Sequence, residues 1–387
     1  MTQESVPFYN PNLSYQENYE QGPFGLFATE PPAGERRLAA ATPQPGGVAP
    51  ESFLGLPLAV PFGIPAGPLL NAAYVAAAFR WGYDLCHYKT VRSRAWPAHA
   101  FPNVLRVAPD APLRDTGAAP PRLTARPFAG NGMVPAAQVG TLSITNSFGM
   151  PAQPVAVWQA DVGRALAAAG PGQALVVSVV GTVDPGDGPA QFAADFAHTA
   201  VLAAAAGAPI LEANLSCPNV GGHGLLCHDV DAARAVCAAI RERVPDRPLL
   251  VKLGSYPATS AGQGALAALV AALAPFVAGF SAINAVPYPV VDLAGTQALP
   301  GAGRARAGIC GAAIRDMGLD VVRRLAALRA ESGGAWGIIG VGGVMTPADY
   351  RAYRQAGADV VQAAAGPMWH PRLALEIAAD VAIGSAA

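Results

Sequence analysis

From residue 53 onward the sequence alternates short apolar or β-branched runs with alanine-rich segments of helical length. This alternation is typical of βα units around a parallel sheet, and eight such units predict an α/β fold, the (β/α)8 or TIM barrel. The predicted helices include residues 190–206, 231–243, 318–330 and 347–356. The eight predicted strands are residues 64–67, 85–90, 175–181, 210–215, 249–253, 280–284, 336–341 and 360–364.

We expect the 387 residues to divide into an N-terminal arm and linker, residues 1–50, and a barrel domain, residues 51–387. The arm is rich in Pro, Gly, Asn and Gln and lacks helical or strand periodicity, which predicts an extended segment. Residues 28–50 are interpreted as linker. The first half contains too many aromatic side chains for a solvated tail, so we expect it to pack on the barrel or on another subunit. These aromatic residues are Phe8, Tyr9, Tyr15, Tyr19, Phe24 and Phe27.

A long Pro- and Gly-rich segment, residues 91–151, separates the second predicted strand from its helix. Such βα connections usually have ~2–6 residues, and longer ones in compact domains are usually functional. In this fold the βα loops lie at the C-terminal face of the barrel, where active sites are built. The segment is therefore predicted to cover the active site.

Charged residues make up only 13% of the chain, and the net charge is −1. This balance provides no basic surface for nucleic acid, and the apolar stretches are too short to span a bilayer. We therefore expect a soluble, cytoplasmic protein that binds neither nucleic acid nor membrane. Five cysteines without a C-x-x-C pair argue against a disulfide framework and a metal site. Four of them are predicted to be small core residues, namely Cys86, Cys227, Cys237 and Cys310.

The end of the fourth predicted strand carries a cluster of polar groups. Asn214, Cys217 and Asn219 lie within six residues there. At the C-terminal end of a barrel strand they would present amide donors and acceptors and one titratable thiol to the same cavity. Taken alone, the cluster also fits a strand end held by Asn turns.

Lys89 and Lys252 each lie inside an otherwise apolar predicted strand. Burial of an unpaired ammonium is costly, so two such lysines indicate a polar ligand, although one alone could simply reach the barrel mouth. The turn at residues 340–344 is rich in glycine and leads into a predicted helix at Pro347. Backbone amides in such a turn can bind phosphate, though a Gly-Gly pair alone also fits a tight turn.

Together these segments resemble the cytosolic, cysteine-dependent dihydroorotate dehydrogenases, from about Leu54 to the C-terminus. The most specific match is the run Asn214-Leu215-Ser216-Cys217-Pro218-Asn219. The other matching motifs are Pro65-Ala66-Gly67, Lys89-Thr90, Asn146-Ser147-Phe148-Gly149-Met150-Pro151, Val251-Lys252-Leu253, Ile283-Asn284, Gly308-Ile309-Cys310-Gly311, Gly340-Val341-Gly342-Gly343 and Gly357-Ala358-Asp359-Val360-Val361-Gln362.

The resemblance implies FMN as the cofactor. Lys252 would lie at the pyrimidine edge of the flavin ring, where a cation stabilises the negative charge of the reduced ring. Lys89 would bridge flavin and substrate. The implied contacts of the ring are Ala66, Gly67, Thr90, Asn214 and Ile283. Those of the phosphate are the backbone amides of Gly311, Gly342, Gly343, Ala364 and Ala365.

The resemblance also implies that the substrate is dihydroorotate, which is oxidised to orotate. Cys217 would be the general base that removes a proton from C5 while hydride leaves C6 for the flavin. Asparagine amides would match the alternating N–H and C=O groups of the pyrimidine ring. The implied substrate contacts are Lys89, Asn146, Ser147, Phe148, Gly149, Met150, Asn214, Asn219 and Asn284. The family precedent is a homodimer.

The sequence departs from the family pattern in two places. Ala364-Ala365 replaces the usual Gly-Thr or Gly-Ser pair, so one hydroxyl donor to phosphate is missing and weaker FMN binding is expected. Residues 101–106 replace the usual G-N-P-x-P-R loop, which leaves the role of this loop open.

Three other functions remain open on the sequence. A related FMN-dependent dihydropyrimidine dehydrogenase would act on uracil or thymine, but those enzymes carry His where this chain has Asn219. A Schiff-base lyase would use Lys252 as its nucleophile, and a non-catalytic barrel would serve as a binding module. The electron acceptor is also open between fumarate, NAD through a partner subunit, and others.

Overall fold

The computed structural model describes residues 4–32, 51–184, 186–216 and 225–384. Its centre is a closed barrel of eight parallel strands, each followed along the chain by a helix. The predicted (β/α)8 fold is therefore confirmed. The strands are β1 (Phe62–Ile64), β2 (Leu85–Val91), β3 (Ala174–Val179), β4 (Ile210–Asn214), β5 (Leu249–Leu253), β6 (Gly279–Ala282), β7 (Gly337–Val341) and β8 (Val360–Gln362). The helices are α1 (Ala72–Arg80), α2 (Val155–Ala167), α3 (Pro189–Ala205), α4 (Val230–Arg243), α5 (Ser260–Leu273), α6 (Arg315–Ser332), α7 (Pro347–Gln355) and α8 (Leu373–Gly384).

All eight predicted strands overlap observed ones, and the differences lie at the ends. β1 ends at Ile64, three residues earlier than predicted, because Pro65 has no N–H to donate to a sheet. β6 and β8 end two residues earlier than predicted, at Ala282 and Gln362. The residues that follow these strands form the rim of the barrel.

The barrel interior is built in layers. Near the N-terminal ends of the strands, Val176, Ile210, Leu250 and Ile339 pack with Phe53 from a hairpin that closes the bottom. Side chains on one face of a strand recur every second residue, so the residues two positions further along these strands form the next layer of the interior. In this barrel the next layer is polar. That layer comprises His87, Ser178, Glu212, Lys252 and Ser281, all of which are buried.

The C-terminal face is covered by a second, smaller closed sheet, here called the lid. Three of its strands come from the long segment between β2 and α2, as predicted for a covering element. The other two come from the connection between β6 and α6, which the sequence pattern did not reveal. The lid strands are Arg106–Val107, Leu123–Arg126, Ser143–Asn146, Val286–Val291 and Arg306–Gly311.

The arm packs on the barrel, as its aromatic residues predict. Phe8 and Phe27 are fully buried, and their ring centroids lie 4.4 Å apart. Each such burial contributes roughly 1.5–3 kcal/mol. The prediction of an extended arm is wrong in part, because Tyr15–Gln21 forms a helix whose first turn is held by a Ser14–Glu17 capping box. Seven residues are too few to show helical periodicity. Residues 33–50, predicted as linker, lie outside the described residues.

No helix in the described part of the chain combines the length and apolar character required to cross a membrane.

Candidate active site

Two adjoining cavities open at the C-terminal ends of the barrel strands, beneath the lid. The first has an empty volume of about 800 Å³, which includes the space at its open mouth. The second lies between the barrel rim and the lid, and both cavities are lined by Ala66, Gly67, Asn146 and Asn284. The structure therefore brings together segments that are far apart in the sequence.

Every predicted site residue in the described part of the chain lines one of these cavities. Cys217 and Asn219 lie outside the described residues, so the structure does not place them. Those lining the first cavity include Lys252, Ile283, Gly311, Gly342, Gly343, Ala364 and Ala365. Those lining the second include Lys89, Thr90, Ser147, Phe148, Gly149, Met150 and Asn214.

A glycine cradle forms one wall of the first cavity. Gly342 and Gly343 follow β7 with φ angles of +131° and +67°, which L-residues rarely adopt. A Cβ on Gly343 would also lie 2.6 Å from the Cβ of Arg315. The turn therefore requires glycine, and it presents backbone rather than side chains to the cavity. Ala364 and Ala365 complete this wall without a hydroxyl group.

Lys252 is the member of the polar layer that lines the first cavity. Its side chain is 4% exposed, and its Nζ donates a hydrogen bond to Ser281 Oγ at 3.1 Å. Burial lowers the pKa of Lys252, whereas the nearby Glu212 and Cys310 raise it. The ammonium therefore depends on its neighbours to remain charged.

Glu212 supplies negative charge to this layer. The residue is 1% exposed, and its Oε1 lies 3.3 Å from Nδ1 of His87. Burial raises the pKa of Glu212, but His87 and Lys252 outweigh this effect and bring the pKa below its usual value. A carboxylate in the barrel interior thus lies beside one basic side chain, His87, and is near enough to Lys252 to interact electrostatically with it. The sequence showed Glu212 only as a polar residue in an apolar strand.

Lys89 projects from β2 into the second cavity and is 6% exposed. Its ammonium makes no hydrogen bond or ion pair with any other residue that the structure describes. Burial, with a smaller contribution from Arg92, lowers the pKa of Lys89 to about 7. The site therefore contains a cation that is available to an anionic ligand.

An amide and hydroxyl network joins the ends of β4 and β6. The Nδ2 of Asn284 donates to Ser216 Oγ at 2.6 Å, and the Ser216 hydroxyl donates to Asn214 Oδ1 at 3.1 Å. Asn146, from a lid strand, lines both cavities. Three asparagines thus meet where the cavities join, and Ser216 brings the chain to this wall immediately before Cys217.

The cysteines are distributed as predicted with one exception. Cys86, Cys227 and Cys237 are at most 1% exposed, which confirms that they are core residues. Cys310 instead lines the first cavity and is only partly buried, because its lid strand crosses the barrel mouth. Burial raises the pKa of the Cys310 thiol to about 12.

Sequence reasoning also missed several residues in the cavity walls, of which three bear on the site. Tyr9 of the arm lines the first cavity, with its ring centroid 5.5 Å from that of Phe148. Only the aromatic content of the arm hinted at such a contact. His99 and Arg304 line the second cavity, and neither has a local pattern that distinguishes it from a surface residue.

Comparison with known proteins places the chain in a family. Residues 123–380 match the dihydroorotate dehydrogenase family. A dihydroorotate dehydrogenase of Dictyostelium discoideum is 31% identical over 377 residues, which covers 96% of each chain. The chain belongs to the dihydroorotate dehydrogenase family. Because the Dictyostelium match covers 96% of the chain, the similarity extends into the first 53 residues, which corrects the expectation that it begins at about Leu54.

Other members of the dihydroorotate dehydrogenase family match only part of the chain. Dihydroorotate dehydrogenase A (fumarate) of Lactiplantibacillus plantarum is 34% identical over 186 residues, 46% of this chain and 55% of the relative. Dihydroorotate dehydrogenase (quinone) of Anaeromyxobacter sp. strain K is 37% identical over 162 residues, 41% of this chain and 42% of the relative. These names contain different electron acceptors, so they do not identify the acceptor of this enzyme.

Proposed function

We propose that this member of the dihydroorotate dehydrogenase family oxidises dihydroorotate to orotate with FMN, as a step of pyrimidine biosynthesis. The observation that carries the proposal is the convergence of three features on two adjoining cavities. They are Lys89, which has no partner among the residues that the structure describes, three asparagine amides and a glycine cradle. The family match supports the same reaction.

The first cavity fits FMN. Gly342 and Gly343 would hold its phosphate through backbone amides, and Lys252 would lie at the ring edge. Gly67 has a φ of +142°, and a Cβ on it would meet no atom within 4 Å, so its backbone faces open space suited to a flat ring. When bound, FMN supplies the hydride acceptor. The missing hydroxyl at Ala364 and Ala365 predicts weaker phosphate binding.

The second cavity fits an anionic pyrimidine. The asparagine amides at the junction offer donors and acceptors for the ring, and a ligand that left them unpaired would bind poorly. Lys89 would pair with the carboxylate, assisted by the segment 147–150. A neutral pyrimidine such as dihydrouracil would leave Lys89 without a counter-ion, so the charge of the cavity favours dihydroorotate.

Cys217 is proposed as the general base on the sequence resemblance. It follows Ser216, whose hydroxyl accepts from Asn284 in the wall of the substrate cavity. A thiolate there would remove the C5 proton of dihydroorotate. Family membership favours this oxidation over a lyase reaction through Lys252. A cytoplasmic location, expected from the composition, and a homodimer, implied by the resemblance, stay predictions.

The test is anaerobic reduction of the reconstituted enzyme. Purified protein is titrated with FMN, then mixed with dihydroorotate or dihydrouracil while flavin absorbance is followed. We expect dihydroorotate to bleach the flavin at least tenfold faster than dihydrouracil. A protein that gains no flavin spectrum, or that is reduced only by dihydrouracil, would contradict the proposal.

A further inference from the structure

A buried arginine lies in the wall of the second cavity. Arg304 lies two residues before the lid strand Arg306–Gly311 and is 5% exposed. Its guanidinium donates to the backbone carbonyls of Ala100 and Pro300 at 2.6 and 2.7 Å, and to those of Pro102 and Ser147 at 3.0 and 3.1 Å. It also donates to the Ser147 hydroxyl at 3.1 and 3.2 Å.

All these acceptors are neutral. No carboxylate in the described part of the chain lies within ion-pair distance of Arg304. Carbonyl dipoles can solvate a buried cation, but they do not cancel its charge. The field of Arg304 therefore reaches the cavity. His99 lines the same cavity and responds to this charge. Its pKa is lowered, with burial as the largest cause and the positive charge of Arg304 as the second.

The position of this charge matters because of the residue that Arg304 holds. Ser147 begins the segment 147–150, which is proposed to bind the substrate carboxylate. The Arg304 guanidinium contacts both the hydroxyl and the carbonyl of Ser147. An anion on this segment would lie close to a fixed positive charge. A neutral group at the same place would gain no charge interaction.

We propose that Arg304 is a specificity-determining positioning residue, which selects pyrimidines that carry a carboxylate over neutral ones. It does so by its uncompensated charge and by fixing Ser147. This inference rests on the proposed function, because it assumes that the second cavity binds the pyrimidine. Lys89 would contact the carboxylate directly, whereas Arg304 acts through Ser147 and through its field.

The experiment compares an anionic ligand with a neutral one of nearly the same shape. Orotate and its carboxamide, orotamide, are titrated calorimetrically into FMN-loaded enzyme. The variants are Arg304→Gln, which removes the charge, and Arg304→Lys, which keeps it. Arg241→Gln is the matched control, because Arg241 lines neither cavity and its guanidinium also donates to a backbone carbonyl, that of Arg247 at 2.7 Å.

We expect Arg304→Gln to raise the Kd for orotate about tenfold or more, and the Kd for orotamide less than about threefold. Arg304→Lys should retain most of the preference for orotate, and Arg241→Gln should resemble the wild type. If both ligands weaken equally in Arg304→Gln and in Arg304→Lys, Arg304 only supports the lid and the inference is wrong. If wild-type enzyme loaded with FMN binds neither ligand, the proposed function fails as well.

If Arg304→Gln does not fold, the result for Arg304→Lys decides. Loss of the preference for orotate in Arg304→Lys overturns the inference, and retention of that preference supports the role of charge.

Discussion

Three buried cations surround the cavities, and each is accommodated in a different way. Lys252 has the carboxylate of Glu212 near it in the same polar layer. Arg304 is surrounded by carbonyl oxygens. Lys89 has no hydrogen-bonding partner among the residues that the structure describes. Because arginine stays protonated and Lys252 has a nearby anion, Lys89 is the cation whose charge responds most to pH near neutrality.

The pH dependence of orotate binding follows from Lys89. Its pKa of about 7 lies below the ordinary value of 10.5, so the ammonium loses its proton as the pH rises through 7. An anionic ligand prefers the protonated form. Orotate affinity of the FMN-loaded enzyme should therefore be highest below pH 7 and fall by up to about tenfold per pH unit above it. Calorimetry between pH 6 and 9 measures this change, and Lys89→Met should bind weakly with a flatter profile. A wild-type Kd that does not change over this range would contradict the role of Lys89.

The proposed base can be distinguished from the other thiols by substitution. Cys217→Ala should retain FMN and orotate binding, because asparagines and flavin provide those contacts. Flavin reduction by dihydroorotate should slow by about 10²- to 10⁴-fold, the usual effect of removing a general base. Cys217→Ser should also be slow near neutral pH and recover as the pH rises. Single-turnover bleaching at several pH values measures both effects.

Cys227→Ala is the control for this experiment. Cys227 is 1% exposed, and its Sγ accepts a hydrogen bond from the Gly254 amide at 3.3 Å, away from the cavities. Burial raises the pKa of Cys227 to about 11, so it is poorly suited to act as a base. If Cys227→Ala were the impaired variant and Cys217→Ala were not, the assignment of the base would be wrong.

At the level of strands, the register of β4 and β5 places Asn214 opposite Lys252 and Glu212 opposite Leu250. The ammonium of Lys252 therefore lines the first cavity from β5, and the carboxylate of Glu212 lies inside the barrel on the neighbouring strand β4. This arrangement predicts that Glu212 keeps Lys252 protonated. Strand register also positions residues in the lid. Cys310 lies opposite Ile144, and this pairing joins the β6–α6 connection to the β2–α2 segment.

Glu212→Gln preserves shape but removes the charge that supports Lys252. The pKa of Lys252 should fall further, so FMN binding to the apoprotein should weaken at a lower pH than in the wild type. We expect the Kd for FMN to rise about tenfold at mildly alkaline pH, equivalent to about one pKa unit. Flavin fluorescence quenching against pH measures this shift. Ser281→Ala, which removes a hydroxyl contact but no charge, should keep the wild-type pH profile. Identical pH profiles of FMN binding for Glu212→Gln and the wild type would show that Glu212 does not keep Lys252 protonated.

As a whole, the molecule is a barrel whose two ends are closed by separate additions. A hairpin with Phe53 closes the bottom, and the lid covers the mouth. The arm packs beside them and contributes Tyr9 to the first cavity. The similarity to the Dictyostelium dihydroorotate dehydrogenase continues into this N-terminal region. Cavity, lid and arm are therefore parts of one structural unit around the site.

The barrel was predictable from sequence because alternating strands and helices are local patterns. The polar residues at strand ends were predictable for the same reason, since parallel strands all end at one face of a barrel. The pairing of Ser143–Asn146 with Arg306–Gly311 was not, because it joins segments more than 150 residues apart without a local signal. The same holds for the carbonyl shell of Arg304 and the electrostatic interaction of Glu212 with Lys252. Periodicity determines which way a side chain points, but only the closed tertiary structure determines which charge lies beside it.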